Sequence, residues 1–245
     1  MAIHYRSHGI VIKKEDRGEA DQVFTIYTKD FGKLEVLGKA IRKIKSKLRP
    51  GTELFYLSEI EFIQGKTYKT LTDVFLIEKF GNLRENLGKL KISYRIADIL
   101  DNLVRGQEKD EKIWNLLNTA LKELNTNNLK FKTYNLIYYY FIWKLFSLLG
   151  YSPQLYNCVI CQKKLVLGKL YFSSEEGGVI CQACFKKIKK GKEILPEVIK
   201  ILRFLLEKDW AQTKKLRIDS TQLKSLKAIS DNYLTSLPKL IISQP

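Results

Sequence analysis

Apolar residues recur with two different periods in this chain, and the change falls near residue 80. In "LSEIEFIQ", Ile60 and Phe62 alternate with Glu59 and Glu61, the period of two that gives a strand one wet face. The stretches "SHGIVIKKE", "DQVFTIYTKD", "GKLEVLGKA", "ELFYLSEIEFIQ" and "KTYKTLTDVFLIEKF" are rich in Val, Ile, Phe, Tyr and Thr, with turn-prone "DRGEA", "DFG" and "QGK" between them. Five short strands over residues 1–80 predict a small closed barrel.

Beyond Phe80 the spacing lengthens to three and four. Leu83, Leu87, Leu90, Ile96, Ile99, Leu100 and Leu103 mark one amphipathic helix, and Ile113, Leu116, Leu117, Leu121 and Leu124 a second over 111–124. A third helix runs to Leu149, with Asn127 or Asn128 as its cap and Gly150 and Pro153 to stop it. Pro196 opens a helix over 195–209, and Ser220 or Thr221 caps one over 220–237. The predicted class is α+β: a barrel over 1–80, then a helical domain over 81–245. No linker isolates residues 155–192, which interrupt the helices and read as an insertion in them.

The third helix could be mistaken for a membrane span. "TYNLIYYYFIWKLFSLLG", residues 133–150, contains Asn135 and Lys144, is flanked by Lys130 and Lys132, and falls short of the roughly 20 apolar residues a bilayer requires. A helix buried on all sides is expected, with no membrane partner. Met1 leads into Ala-Ile-His-Tyr-Arg without a secretory signal pattern, so a cytoplasmic protein is expected.

Charge narrows the function. The formal net charge is +17, from 43 Lys and Arg against 26 Asp and Glu, which points to a polyanionic partner and to nucleic acid before membrane. A lysine-rich genome would also raise lysine on every solvated face. The excess, however, is densest over residues 151–192.

That segment holds all four cysteines: Cys158 and Cys161, then Cys181 and Cys184. The spacing C-x2-C-x19-C-x2-C suits a tetrahedral site, because two intervening residues bring both thiolates of a turn to one ion at about 2.3 Å. Between the pairs, two short strands and a turn at Glu176, Gly177 and Gly178 predict a zinc ribbon. An iron–sulfur cluster could use the same four ligands, and disulfides would require an oxidising compartment. Four sulfurs leave no open position, so a zinc ion here would be structural. Lys186, Lys187, Lys189, Lys190 and Lys192 follow the second pair; they exceed what is needed to offset a site of about −2, and the surplus is free to meet phosphates.

A second basic stretch, "GKAIRKIKSKLRPG", places Lys39, Arg42, Lys43, Lys45, Lys47 and Arg49 in a loop between barrel strands. Such a loop can follow a phosphate backbone without reading sequence; a solvated basic loop would look the same. Together with "RGEADQVFTIYTKDFGK" (Gly18, Glu19, Asp21, Thr28, Phe31, Gly32 and Lys33) and the late four-cysteine insert, the whole chain resembles the RecO recombination mediator family. The resemblance implies an N-terminal OB-fold barrel, a helical domain and a zinc-binding module. It also implies binding of single- and double-stranded DNA, annealing of complementary strands, and loading of the recombinase RecA in gap repair with RecR and the single-stranded DNA-binding protein. The four cysteines would take the metal role and the basic loop part of the DNA role. Gln162 and Phe185 stand where glycine often follows such cysteine pairs.

On an OB barrel, Phe24, Tyr27, Phe55, Tyr56, Phe62 and Tyr68 are candidates to stack on bases, although core packing is expected for most. No phosphate-binding G-x-x-x-x-G-K-[ST] is present. Asp16, Glu19 and Asp21 could hold Mg2+ for a nuclease or nucleotidyl transferase; pairing with Lys13, Lys14 and Arg17 around a turn is the simpler expectation. An RNA-binding zinc protein is a further alternative, and His4 and His8 carry no partnering motif.

Overall fold

The computed structural model describes residues 3–65, 67–166 and 168–242; Lys66 and Leu167, within two of the predicted strand-bearing stretches, lie outside them. Five strands close into a barrel: β1 (His4–Arg17), β2 (Asp21–Thr28), β3 (Gly32–Gly38), β4 (Leu57–Gln64) and β5 (Lys69–Glu78). Around the wall they run β1-β2-β3-β5-β4 and back to β1, the arrangement of an OB-like barrel. β1 is long enough to serve two neighbours. Its first half pairs with β4 from His4↔Ile63 to Ile10↔Leu57, and its second with β2, across an irregularity between Val11 and Lys13. That irregularity bends the strand from one partner to the other and so closes the wall. The seam between β3 and β5 is short, a parallel pairing of Val36↔Lys69 and Leu37↔Thr70. Alternation fills the interior with Val11, Phe24, Ile26, Leu34, Val36, Ile60, Phe62, Leu71 and Val74, joined by Ile41 from the basic loop.

Helices follow, each opened by a side chain suited to it. Asn86 accepts from the N–H groups of Gly88 (2.9 Å) and Lys89 (3.2 Å) to cap α1 (Leu87–Leu103), and Asp110 accepts from Lys112 (2.9 Å) and Ile113 (3.0 Å) to cap α2 (Glu111–Leu124). The apolar helix α3 (Phe131–Leu148) begins later than its predicted cap. Asn128 has φ +53° and forms part of the preceding turn, a backbone region asparagine tolerates. Compactness divides the chain within α3, into Met1–Phe141 and Ile142–Pro245. Among the described residues, no helix is long and apolar enough to cross a membrane.

The second unit contains β6 (Leu170–Ser173), β7 (Gly178–Cys181), α4 (Gln182–Ile188), β8 (Lys192–Ile194), α5 (Pro196–Glu207), α6 (Trp210–Thr213) and α7 (Ser220–Ile242). β6 lies between β7 and β8, so the ribbon gains a third strand that begins at the predicted end of the insertion. Pro196 occupies the first turn of α5 as expected. The cap of α7 is Asp219 rather than Ser220 or Thr221: Asp219 Oδ1 accepts from the Gln222 N–H (2.8 Å) while Gln222 Oε1 accepts from the Asp219 N–H (3.1 Å), a reciprocal capping box. Trp143 anchors the core of this unit, stacking on Tyr233 at 5.1 Å and donating its indole N–H to Ser230 Oγ at 3.0 Å.

Candidate metal centre and nucleic-acid interface

Two turns of different build deliver the four thiols. The first is a tight knuckle: the Gln162 N–H donates to Cys158 O (2.9 Å), the Cys158 N–H to Lys163 O (2.9 Å), and the Leu165 N–H to Tyr156 O (3.0 Å). Gln162 adopts φ +59°, the left-handed conformation for which glycine is the usual choice. The departure from glycine therefore leaves the turn intact and costs some strain at Gln162. In the second turn Cys181 ends β7 and Cys184 sits in the first turn of α4. Phe185, being helical, needs no glycine. It stacks on Tyr171 with rings 3.5 Å apart and 2° from parallel, covering the thiols together with Val159, Leu165, Ile180 and Ile188.

The four Sγ atoms all lie within 4.8 Å of one another, and those of Cys161 and Cys181 are 3.9 Å apart. A tetrahedron with bonds of about 2.3 Å has sulfur–sulfur edges of about 3.8 Å. No disulfide links them. The Cys181 N–H points at Cys158 Sγ, 3.4 Å away. Burial raises the Cys158 thiol, but the backbone N–H groups of Cys161, Cys181 and Ile160 outweigh it and bring its pKa down to about 6. Burial, and then hydrogen bonding with the other three thiols, pushes Cys184 up to about 12. Four such groups oppose one another's ionisation unless a cation stands among them, so the donor set fits a metal and the site has the ligands for one.

Lys186 and Lys187 form the last turn of α4, and Lys189, at φ +51°, ends it. All three are exposed, and among the described residues none forms an ion pair with an acid. Lys190 differs: Glu175 (3.3 Å) and Glu176 (3.7 Å) hold its ammonium, which compensates its charge.

On the barrel, Lys39, Arg42, Lys43, Lys45, Lys47 and Arg49 are all exposed on the loop between β3 and β4. The loop is built on the acidic residues beside it. Asp21 Oδ1 accepts the Ala40 N–H (2.7 Å); Asp16 pairs with Arg42 (3.3 Å) and accepts from Gln22 Nε2 (2.7 Å). Glu19 stands exposed at the tip of the β1–β2 hairpin. Asp16, Glu19 and Asp21 are not gathered: the group able to hold a metal among the described residues is the four cysteines. Nor do they take the lysines the sequence suggests, since Lys13 pairs with Glu15 (2.8 Å) and Lys14 with Glu53 (3.0 Å). The two histidines lie on another barrel face, His4 Nδ1 against Glu61 Oε1 at 2.7 Å and His8 Nε2 3.8 Å from Glu59. Hydrogen bonds from Arg6 and then His4 hold the Glu61 carboxyl down at about 2.

Four of the six aromatic candidates are buried: Phe24, Tyr27, Phe55 and Phe62 are at most 3% exposed, and Phe24 and Phe62 belong to the barrel core. Tyr56 lies beneath Arg84 (5.1 Å), and Tyr68, on the β4–β5 loop, lies beneath the guanidinium of Arg17 (4.1 Å). The sequence offered Arg17 only as a partner for the acids around its turn, although any OB-like barrel brings its β1–β2 and β4–β5 loops to a common ligand-binding region. The outer face of β2 and β3, the other usual oligonucleotide platform, is covered at the end where Thr25 and Tyr27 are buried and open at Glu35. Residues 108–110 approach that end, and Glu108 O stands where a Cβ on Gly32 would have to go. Gly32 has φ +59°, so both space and backbone require glycine there. Lys33 donates to Asp101 (3.1 Å) and Lys109 pairs with Asp30 (3.6 Å) along the same edge.

The motif residues thereby acquire reasons. Thr28 Oγ1 donates to Gly32 O (2.8 Å) and accepts from the Phe31 N–H (3.1 Å), locking the β2–β3 turn; Asp21 roots the basic loop. A closed OB-like barrel with a cationic loop, followed by helices that carry a four-thiol ribbon, defines a class of mixed α+β protein with a cysteine cluster able to hold a metal. Residues 1–80 match the family model for the Recombination protein O N terminal, and residues 84–237 that for the Recombination protein O C terminal. The chain is 32% identical over 237 residues to the DNA repair protein RecO of Dehalococcoides mccartyi strain 195, covering 96% of this chain and 91% of that protein. It is 30% identical over 233 residues to those of Thermoanaerobacter sp. strain X514 and Moorella thermoacetica, with 94% of this chain and 90% and 85% of theirs covered. The chain belongs to the RecO family of DNA repair proteins.

Proposed function

We propose that this chain is a DNA-binding recombination mediator, acting in the cytoplasm without catalytic chemistry of its own. It binds single- and double-stranded DNA, anneals complementary strands, and helps to load recombinase in gap repair, with RecR and the single-stranded DNA-binding protein as partners. A zinc ion held by Cys158, Cys161, Cys181 and Cys184 is structural. The observation that carries this reading is the exposed row of six cations on a loop fixed at its root by Asp21 and Ile41. Strand annealing needs no reacting group: cations that neutralise phosphates on two strands lower their repulsion, and base pairing follows. Tyr68, with Arg17 over its ring, offers a stacking face at the barrel's loop end.

The test is annealing of labelled complementary oligonucleotides with EDTA present and ATP absent. The mediator reading expects annealing to proceed, and to proceed also with Asp21→Asn, whose remaining side-chain oxygen can still accept the Ala40 N–H. Strict dependence on Mg2+, together with loss of activity in Asp21→Asn, would replace it with a metal-dependent nuclease or transferase. Tighter binding of RNA than of DNA of equal length would make the chain an RNA-binding zinc protein.

A further inference from the structure

The basic loop carries an apolar side chain that neither the barrel core nor the loop's charge explains. Ile44, between Lys43 and Lys45, is 93% exposed, more than any other large hydrophobic among the described residues. Ile41, on the same loop, is 1% exposed and packs in the barrel core. The backbone between them is organised. The Ala40 N–H donates to Asp21 Oδ1, the Arg42 N–H to Ala20 O (3.0 Å), and the Ser46 N–H to Lys43 O (3.0 Å). That last bond closes a four-residue turn with Ile44 and Lys45 at its two corner positions, from which side chains project into solvent.

A single exposed apolar residue is ordinary on a protein surface. The neighbours and the position are what distinguish this one. A β-branched residue is a poor choice at a turn corner, where Gly, Asn, Asp, Pro and Ser predominate. Lys39, Arg42, Lys43, Lys45, Lys47 and Arg49 crowd the loop with positive charge, so what meets Ile44 must be anionic outside and apolar within reach of the loop tip. Nucleic acid has that construction, with charge on its backbone and flat apolar faces between its bases. Apolar side chains flanked by cations enter base steps and part them.

We propose that Ile44 is a wedge: as the flanking cations seat on the phosphates of single-stranded DNA, Ile44 enters between two adjacent bases and unstacks them. The proposal rests on the reading of this loop as a DNA contact. A strand opened in this way keeps its pairing edges free for a complementary strand, since the wedge occupies base faces and leaves the edges untouched.

The experiment titrates the full chain into single-stranded DNA carrying 2-aminopurine, whose fluorescence is quenched by stacking, and compares Ile44→Ala and Ile44→Leu with the native chain. The native chain and Ile44→Leu should brighten the probe. Ile44→Ala should bind about tenfold more weakly, from the apolar burial it forgoes, with most of the brightening lost and the salt dependence unchanged. At this exposure neither substitution should move the thermal midpoint, so a loss of binding is not a loss of fold. Equal affinity and equal brightening in Ile44→Ala would overturn the wedge and leave the DNA contact standing. Binding by the native chain without brightening would also overturn it, placing the contact on the backbone alone. Failure of the native chain to bind DNA would remove the DNA reading and the wedge with it.

Discussion

Tyr27 shows how far one residue can depart from what its strand predicts. It alternates with Phe24 and Ile26, which fill the barrel, and so faces outward; yet it is fully buried. Its hydroxyl has no hydrogen-bond partner among the described residues, and burial, with Asp110 adding to it, raises its pKa well above the tyrosine range. A buried donor left unpaired forfeits the bond it would make with water. Tyr27→Phe is therefore expected to be neutral or to stabilise the chain by up to about 1 kcal/mol in urea unfolding at neutral pH; a loss larger than about 1 kcal/mol would show that the hydroxyl is satisfied after all. The sequence offered Tyr27 only as a candidate to stack on bases and did not assign it a side of β2. Nor could it show that the hydroxyl would be dry, because Asp110, whose charge acts on it, lies far downstream in the chain. Ile44 is the opposite case: an apolar residue visible in the basic run, whose exposure depends on a turn that only the Ser46 to Lys43 hydrogen bond reveals.

The cysteine ribbon shows which elements a sequence makes legible. The spacing picked out the four cysteines that the fold gathers, because a C-x2-C pair constrains geometry within one turn. Helix α4 is only seven residues long, too short to establish a helical period, so its lysines read as a run rather than as the last turn of a helix. β8, three residues long, is recognisable only by its pairing with β6. Gln162 kept a glycine-like φ because the hydrogen bonds on either side of it fix the turn. A segment with so small an apolar cluster would gain much of its stability from a metal bound by the four thiols. Purified chain is expected to contain about one zinc per molecule. Releasing it with a thiol-modifying reagent and a chelator should abolish hydrogen-exchange protection across residues 155–194. The barrel strands, whose core contains none of these residues, should keep theirs. Full protection in metal-free chain would mean that packing around Tyr171 and Phe185 suffices and that the thiols serve another purpose.

Across the molecule, the net charge of +17 is divided between cations already answered by acids and cations that are not, a distinction composition cannot make. Arg42 has Asp16, Lys190 has Glu175 and Glu176, Lys14 has Glu53, and Lys33 has Asp101. Among the described residues, Lys43, Lys45 and Lys47 on the loop, and Lys186 and Lys187 on α4, form no such pair. If both groups hold DNA, each unanswered lysine releases condensed counterions when it binds, and the slope of log affinity against log salt counts them at about 0.7 each for single strands. Replacing Lys43, Lys45 and Lys47 by Ala should flatten the slope by about 2, and replacing Lys186 and Lys187 by about 1.4. The two losses should add to about 3.4 in the combined variant, because the groups share no side-chain partner. Lys190→Ala provides the internal control: its ammonium is already neutralised by two carboxylates, so its removal should leave the slope close to the native value. A flattening as large as that of Lys186→Ala would mean that DNA displaces Glu175 and Glu176. An unchanged slope in the loop triple variant would retire the barrel loop as a phosphate contact and leave the ribbon as the cationic site.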